Sequence, residues 1–337
     1  MGWSVSSDGG IVVEGGRLRY VLDPKGPVSE GYAFVSHAHI DHMHSPSAGE
    51  KVIASKATKD LAMARGYDLG EVQEVAEGVK LLDSGHILGA RAVLIGDDVF
   101  YTGDASGRER GFLKRCETRR ARILVMETTY GTPGYVFPET SKLVKEVNSF
   151  ISGCYDKGKP VVLMGYPLGK AQLLSYFFSC WEPLFYHRSV AEMNRVHVEH
   201  GVSLKGGGVF DPSAGVESLP QGPWLMVAPM SGPRSTLAAS LKKSRGAVLV
   251  AFSGWATRPG YRLVAGADAS FPLSDHCDYQ ELVRLAKEVS PEKVYTVHGF
   301  AAEFASDLRR LGFDATPLGP YQSTLGDFRE AAPPPNI

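Results

Sequence analysis

The chain has 337 residues, of which 43% are hydrophobic and 22% are charged, and its formal net charge is −1. This composition is typical of a globular protein with a large core and room for more than one domain. The near-neutral charge provides no overall basicity of the kind that favours nucleic-acid or anionic-membrane binding, although it does not exclude a local basic groove. The four cysteines lack CxxC spacing, the N-terminus lacks a signal-peptide pattern, and no apolar run approaches the ~20 residues that cross a bilayer. We therefore expect a soluble, cytoplasmic protein without membrane contact.

The first third of the chain is predicted to be rich in β-strands. The predicted strands lie at residues 10–24 (a hairpin turning at Gly15 and Gly16), 32–39, 51–55, 90–106 (a second hairpin) and 121–131. One helix is predicted at residues 56–66, where the glycine at its end favours termination.

From about residue 139 the pattern changes to alternating strands and helices. The predicted helices occupy residues 141–158, 170–181, 279–290 and 301–312, and the predicted strands occupy 160–169, 246–255 and 293–299. The proline-rich tail, residues 330–337, is predicted to be frayed. The whole pattern predicts an α/β protein.

Residues 35–45, VSHAHIDHMHS, concentrate possible metal ligands directly after a predicted strand. His37 and His39 point to the same side of an extended segment, because side chains alternate with period two. Asp41 and His42 follow after the chain turns, which allows them to face a second metal. Imidazole nitrogens and carboxylate oxygens are ligands that zinc and manganese accept. The sequence therefore predicts a dinuclear site, and His44, outside the pattern, is predicted to be a surface residue.

Two metals need further ligands, and other strand ends supply them. His86 lies between Gly85 and Gly89, Asp104 lies near the end of the second predicted hairpin, and His298 lies near the end of the last predicted strand. A single histidine after a strand is more often structural than functional. All three residues occupy the same kind of position, however, and together they complete a predicted site for two cations.

The order of these motifs resembles that of the metallo-β-lactamase superfamily, and further residues resemble its β-CASP nucleases. Glu127 in VMETTYG matches the acidic motif A, His276 in FPLSDHCDYQEL matches motif B, and His298 in TVHG matches motif C. Asp23 in VLDP matches the first aspartate motif. The resemblance covers nearly the whole chain and implies an αββα sandwich with an inserted α/β cap. It implies a metallo-β-lactamase domain formed by residues 1–134 and 263–337, and a β-CASP insertion at residues 135–262.

The resemblance also implies a role for each site residue. Metal ligands would be His37, His39 and His86 for one cation, Asp41, His42 and His298 for the other, with Asp104 bridging both. Asp23 would orient a ligand histidine or its loop. Asp41 would act as the general base, and Glu127 would hold His276 as the group that contacts the phosphate or protonates the leaving oxygen. The cations would be Zn²⁺, with Mn²⁺ or Mg²⁺ as alternatives.

Several polar residues in glycine-rich stretches are candidates for contacts with substrate phosphates. Lys170 lies at the predicted N-terminus of a helix, where free backbone N–H groups favour an anion. The other candidates are Ser231, Arg234, Ser253, Arg258 and Arg262, with Trp255 as a candidate for base stacking. Solvated surface residues are the alternative interpretation for all of them.

The resemblance leaves the nucleic acid open. A histidine at motif C is usual in RNA-processing members such as RNase J and the mRNA 3′-end-processing endonucleases. The stretches PLGKAQ, SGW…RPG and VHGFAAEF look most like ligase-associated DNA exonucleases. We expect a DNA 5′ exonuclease in DNA repair or processing, with an RNA-processing nuclease as the alternative. A catalytically inactive scaffold is disfavoured because every motif position is filled, and a hydrolase of small esters, thioesters or lactams is disfavoured by motifs A and B.

Overall fold

The computed structural model describes residues 2–319 of the chain, so the proline-rich tail lies outside the described residues. Within that range, eighteen strands form three six-stranded sheets and are accompanied by eight α-helices. No helix in that range is both long enough and apolar enough to span a bilayer.

The first sheet contains the strands that precede the histidine cluster. Its strands are β1 Ser4–Ser7, β2 Ile11–Gly15, β3 Leu18–Leu22, β4 Tyr32–Phe34, β5 Val52–Ile53 and β6 Val72–Gln73. The predicted hairpin is confirmed, because β2 and β3 pair antiparallel and Gly16 adopts a φ of 63° in the turn between them. Strands β3 to β6 are parallel. The short β1 and β6 were not predicted.

The second sheet combines strands from the two ends of the described chain. Its strands are, in spatial order, β18 Ala315–Pro317, β17 Lys293–Val297, β10 Ile123–Glu127, β9 Val99–Tyr101, β8 Arg91–Ile95 and β7 Val79–Asp83. Strand β10 pairs in parallel with both β9 and β17. The carboxyl ends of these three strands therefore meet at one edge of the sheet.

The first two sheets pack face to face. Their shared core contains Tyr20, Leu22 and Phe34 from the first sheet and Tyr101 and Val125 from the second, all of them buried. Helix α1 (Lys56–Ala64) covers the outer face of the first sheet, and helices α7 (Tyr279–Val289) and α8 (Ala301–Arg310) cover that of the second. The αββα sandwich is confirmed.

The third sheet is entirely parallel and has helices on both faces. Its strands are, in spatial order, β13 Gly208–Phe210, β12 Leu184–His187, β14 Leu225–Pro229, β11 Val161–Gly165, β15 Val248–Phe252 and β16 Ala269–Phe271. Its helices are α2 Thr140–Tyr155, α3 Lys170–Phe177, α4 Arg188–Glu199, α5 Thr236–Arg245 and α6 Tyr261–Val264. We call the part of the chain from α2 to β16 the cap unit, and it is the α/β cap that the sequence predicts.

Candidate metal centre

The predicted ligands meet at the edge of the sandwich where strands of both sheets end. His37 lies three residues after β4, His86 three residues after β7, and Asp104 three residues after β9. His298 directly follows β17 and adopts a left-handed φ of 60°. Strand ends leave backbone free to turn, so side chains from distant parts of the chain converge here.

The first cluster consists of four side chains. One donor atom from each of His37, His39, His86 and Asp104 lies within 4.8 Å of the others. His39 Nδ1 is 3.1 Å from both His37 Nε2 and His86 Nε2, and Asp104 Oδ2 is 3.4 Å from His37 Nε2. A tetrahedral zinc ion with bonds of about 2.0–2.1 Å has ligand atoms about 3.3 Å apart. The cluster therefore fits a zinc-sized cation.

The second cluster shares Asp104 with the first. Donor atoms of His42, Asp104 and His298 lie within 4.8 Å of one another. Oδ2 of Asp104 is 3.5 Å from His42 Nε2, and Oδ2 of Asp41 lies at the same distance from that nitrogen. The Asp41 side chain is 77% exposed, so it lies at the solvent side of this cluster. Oδ2 of Asp104 thus faces histidines of both clusters.

Asp23 fixes the orientation of His42. It directly follows β3, is buried, and has a left-handed φ of 46°, which aspartate tolerates better than most residues. Its carboxylate accepts hydrogen bonds from His42 Nδ1 at 2.8 Å, Tyr101 Oη at 2.7 Å and the Ser36 backbone N–H at 2.7 Å. Because Nδ1 of His42 is occupied in this way, Nε2 is the nitrogen that faces Asp104.

Backbone carbonyls orient two further histidines. His86 Nδ1 lies 2.9 Å from the Asp275 carbonyl oxygen, and His39 Nε2 lies 3.2 Å from the Leu168 carbonyl oxygen. A carbonyl only accepts, so each of these nitrogens donates, and the other nitrogen of each ring carries the lone pair that faces the cluster. Leu168 belongs to the cap unit, which therefore contacts the metal centre directly.

Burial keeps the histidines of the first cluster in the neutral form that binds metals. Burial lowers the pKa of His37 and of His86 well below the usual value, and it lowers the pKa of His39 to about 4. Their imidazoles are therefore neutral at pH 7. Burial also opposes protonation of His42, but the carboxylates of Asp104 and Asp23 outweigh it and raise the pKa of His42 to about 10. The carboxylates thus favour a positive charge at this position.

The buried Glu127 and the half-buried His276 form a pair beside both clusters. Glu127 is the last residue of β10, and its Oε1 lies 2.9 Å from His276 Nδ1. The carboxylate also accepts hydrogen bonds from the backbone N–H groups of Ala105 and Thr129. Burial opposes protonation of His276, but Glu127 and Asp104 outweigh it and raise its pKa to about 9. His276 Nε2 is 3.9 Å from Asp104 Oδ2, so the proton-bearing ring faces the cluster.

An aromatic cluster that the sequence did not predict flanks this pair. It is formed by Tyr130, Tyr135, Phe137, Trp255 and Phe300. The Tyr130 ring lies edge-on to His276, with 5.9 Å between ring centroids. The exposed guanidinium of Arg258 lies 5.0 Å from the Tyr135 centroid and 5.3 Å from the Trp255 centroid. The rings hold this cation through cation–π contacts.

The other candidate phosphate contacts are more dispersed. Lys170 is buried, and its ammonium lies 2.7 Å from Asp275 Oδ1. The buried Ser253 hydroxyl accepts from the Trp255 backbone N–H, and the Ser231 hydroxyl donates to Met164 Sδ. Arg234 and Arg262 are exposed, Arg234 in the loop before α5 and Arg262 in α6. Their contacts with substrate stay predictions.

The prediction for His44 is wrong. His44 is buried, and its Nε2 lies 2.6 Å from Glu50 Oε1, where it holds the loop after the cluster. Arg110 was not predicted as a site residue; its fully buried guanidinium donates to the backbone carbonyls of Ser274, Gly85 and His86. It joins the loop that carries His86 to the loop that precedes His276. An arginine followed by glycine carries no local signal of burial, so only the tertiary structure identifies it.

Known proteins resemble the chain in sequence and in fold. Residues 266–316 match the family described as the Zn-dependent metallo-hydrolase RNA specificity domain. A protein of Opitutus terrae named "Probable DNA ligase" is 33% identical over 335 residues, which are 95% of this chain and 31% of that protein. The "RNase J-like protein" of Methanocaldococcus jannaschii is 25% identical over 171 residues, which are 41% of each chain. The chain therefore spans less than half the length of either relative.

A solved structure shows the same fold. The crystal structure of a protein of unknown function from Enterococcus faecalis V583 has a TM-score of 0.61 and 12% identity, over 93% of this chain and 95% of that one. The matched zinc-dependent domain and the His/Asp clusters together indicate a site for divalent metal. The relative that aligns along almost all of this chain, the matched domain and the sandwich with its cap agree with one another: the chain is similar to β-CASP members of the metallo-β-lactamase superfamily of metallo-hydrolases.

Proposed function

We propose that this protein is a nuclease that hydrolyses nucleic-acid phosphodiester bonds with two divalent cations. The observation that carries the proposal is the Glu127–His276 pair. Nδ1 of His276 contacts Glu127, and Nε2 of the same ring lies 3.9 Å from Asp104 Oδ2. A proton-transfer group beside a dinuclear cluster matches what phosphodiester cleavage needs, namely an activated water and a protonated leaving oxygen.

The two clusters divide the metal ligands between them. The proposed ligands are His37, His39 and His86 for one cation and Asp41, His42 and His298 for the other, with Asp104 shared. Five of these seven residues are histidines, which favours Zn²⁺ over the oxygen-preferring Mg²⁺, with Mn²⁺ as the intermediate choice. Cations bound there would polarise the phosphate and lower the pKa of a water molecule.

The side chains around the clusters have separate tasks. Asp41 is exposed beside the second cluster, and we assign it to accept the proton of the attacking water. His276 has Nδ1 committed to Glu127, so Nε2 is the atom that donates a proton to the leaving oxygen. Tyr130 packs edge-on against the ring and limits its rotation.

The cap side of the site offers contacts for a polynucleotide. Arg258 is exposed and positioned by the aromatic cluster, so little side-chain entropy remains to be lost when it binds a phosphate. Trp255 and Phe300 in that cluster are partly exposed, and aromatic faces stack bases without regard to sequence.

We propose single-stranded DNA as the substrate and a 5′ exonuclease in DNA repair or processing as the activity. The support is the relative named "Probable DNA ligase", which aligns with 95% of this chain. An RNA-processing nuclease is the alternative. It is favoured by the description of the matched domain as an RNA specificity domain and by the RNase J-like relative.

We also propose a division of the chain into two domains. The sequence places the insertion at residues 135–262. Strand β16 pairs with β15 in the sheet of the cap unit, so we place the second boundary after Phe271.

Cleavage assays with one labelled oligonucleotide sequence, made as DNA and as RNA, test the proposal. Each carries a 3′ label and either a 5′ phosphate or a 5′ hydroxyl, and each is incubated with Zn²⁺, Mn²⁺ or Mg²⁺ after chelator treatment. We expect stepwise shortening of the DNA from its 5′ end and no cleavage while the chelator is present. Shortening of the RNA alone would select the alternative, and no cleavage of either polymer with any metal would refute the nuclease assignment.

A pair of histidine variants shows whether cleavage depends on the proposed site. His276→Ala should abolish cleavage. His200→Ala is the matched control, because His200 forms a similar 2.9 Å contact with Asp60 away from the clusters. Full activity of the His276→Ala variant would refute the assignment of His276 as the general acid.

A further inference from the structure

The last loop residues before α3 and the first residue of that helix contact the metal centre and the residue next to His276. The Leu168 carbonyl oxygen lies 3.2 Å from His39 Nε2, and Lys170 Nζ lies 2.7 Å from Asp275 Oδ1. We call residues 168–170 the wedge. It belongs to the cap unit, whereas His39 lies in the loop after β4 of the first sheet and Asp275 directly precedes His276.

Gly169 shows how closely the wedge approaches. Its φ of 91° lies in the left-handed region that favours glycine. A Cβ atom on this residue would lie 2.5 Å from Ile87 Cγ2 and 3.4 Å from Asp275 Oδ2. Ile87 directly follows the cluster residue His86, so the wedge packs against the side chain next to a proposed ligand.

Lys170 and Asp275 form a buried ion pair, with both side chains 3% exposed. Removing two charges from water is costly, and such a pair often contributes no more to stability than apolar residues of similar volume. The pair anchors the side chain of Asp275, and the backbone carbonyl oxygen of the same residue is 2.9 Å from His86 Nδ1. The contact thus extends from Lys170 through Asp275 to His86.

We propose that the wedge is a positioning element for the first metal cluster, and that Lys170 and Asp275 are positioning residues. The Leu168 carbonyl orients His39 directly, and the Lys170–Asp275 pair orients His86 through the Asp275 carbonyl. This gives Lys170 a role different from the predicted phosphate contact. The inference rests on the proposed function only in that the cluster binds metal. Loss of such outer hydrogen-bond partners typically weakens metal binding about 10–100-fold.

Metal titrations of the apo-protein test this role without any cleavage assay. Zn²⁺ is titrated in competition with a chromophoric chelator, and Co²⁺ is titrated while its visible absorption spectrum is recorded. The variants are Lys170→Met and Asp275→Asn, which keep side-chain volume, and Lys242→Met is the control. Lys242 pairs with Asp268 at the same 2.7 Å, but that pair lies at the surface of the cap unit.

We expect about 10–100-fold weaker Zn²⁺ binding and an altered Co²⁺ spectrum for the first two variants, and no change for Lys242→Met. Circular dichroism at the titration temperature identifies variants that are folded, and Asp275→Asn is the milder change if Lys170→Met unfolds. A folded Asp275→Asn variant with wild-type Zn²⁺ affinity and Co²⁺ spectrum would overturn the inference, even if its melting temperature falls.

The same titrations separate this inference from the proposed function. A wild-type protein that binds neither Zn²⁺ nor Co²⁺ would overturn the metal site and the inference with it. A wild-type protein that binds both ions but cleaves no nucleic acid would overturn the nuclease assignment alone.

Discussion

Replacing Glu127 by glutamine removes a negative charge from the centre of the site with little change in volume. The carboxylate is buried and accepts three hydrogen bonds, from His276 Nδ1 at 2.9 Å, the Ala105 backbone N–H at 3.0 Å and the Thr129 backbone N–H at 3.1 Å. A glutamine side chain has only one acceptor oxygen. Its amide group would face one of these donors.

Two magnitudes follow from this geometry. A general acid typically contributes about 10²–10⁴ to the rate, which is about 2.7–5.4 kcal/mol of transition-state stabilisation. We expect a loss of that order in kcat, because Glu127, together with Asp104, favours the protonated form of His276 against burial. The unmatched donor should also lower the free energy of unfolding by about 1–3 kcal/mol.

Single-turnover cleavage of two substrates isolates the acid role. One substrate is an oligonucleotide, whose leaving alkoxide needs a proton, and the other is a p-nitrophenyl phosphodiester, whose leaving phenolate does not. Glu127→Gln should slow the oligonucleotide reaction about 10²–10⁴-fold and leave the nitrophenyl ester nearly unaffected. The control is Glu288→Gln, because Glu288 contacts Arg115 and Thr118 away from the clusters.

Equal loss with both substrates, at unchanged metal content, would refute the assignment of His276 as the acid. Unchanged turnover of the oligonucleotide would refute the participation of the pair altogether.

Three further predictions concern other parts of the site. Asp23→Asn replaces a carboxylate that accepts from His42 Nδ1 and Tyr101 Oη by an amide with a single acceptor oxygen, so we expect at least about tenfold weaker Zn²⁺ binding through His42. Unchanged affinity in a competition titration would contradict this. Arg258→Ala removes an exposed cation held by aromatic rings, so the KM for single-stranded DNA should rise about tenfold while kcat is retained. Arg262→Ala is the control and should raise KM less. Equal KM values for the two variants would contradict a phosphate contact at Arg258. Arg110→Met leaves buried carbonyls without a donor, so the free energy of unfolding should fall by about 3 kcal/mol or more in a urea titration. A fall below about 1 kcal/mol would show that the loop that carries His86 and the loop that precedes His276 do not depend on this side chain.

The proposed metal ligands could be selected from the sequence because their signal is local or lies at strand ends. His37, His39, Asp41 and His42 occur within six residues, and their spacing alone indicates a metal site. His298 could be added because it lies at the end of a predicted strand, and His86 because Gly85 and Gly89 flank it in a loop. Parallel strands then bring such ends to one edge, and the structure places the donor atoms of both histidines within the clusters.

Most elements in the middle of the cap unit have no clear signal in the sequence. Strands β12 to β14 and helices α4 and α5 were not predicted. Strands β12 and β13 have four and three residues, too short for the period-two alternation that identifies a strand. These strands are recognised only once their neighbours in the sheet supply hydrogen bonds.

By itself, the sequence determined which residues could bind metal, that the fold is an α/β sandwich with a cap, and which family the chain resembles. Only the tertiary structure decided the partners of those residues. It showed His44 against Glu50, Lys170 against Asp275, and Arg110 between two loops. The physical reason is that burial and pairing of a polar side chain depend on groups far away in the chain, and no local pattern of residues encodes them.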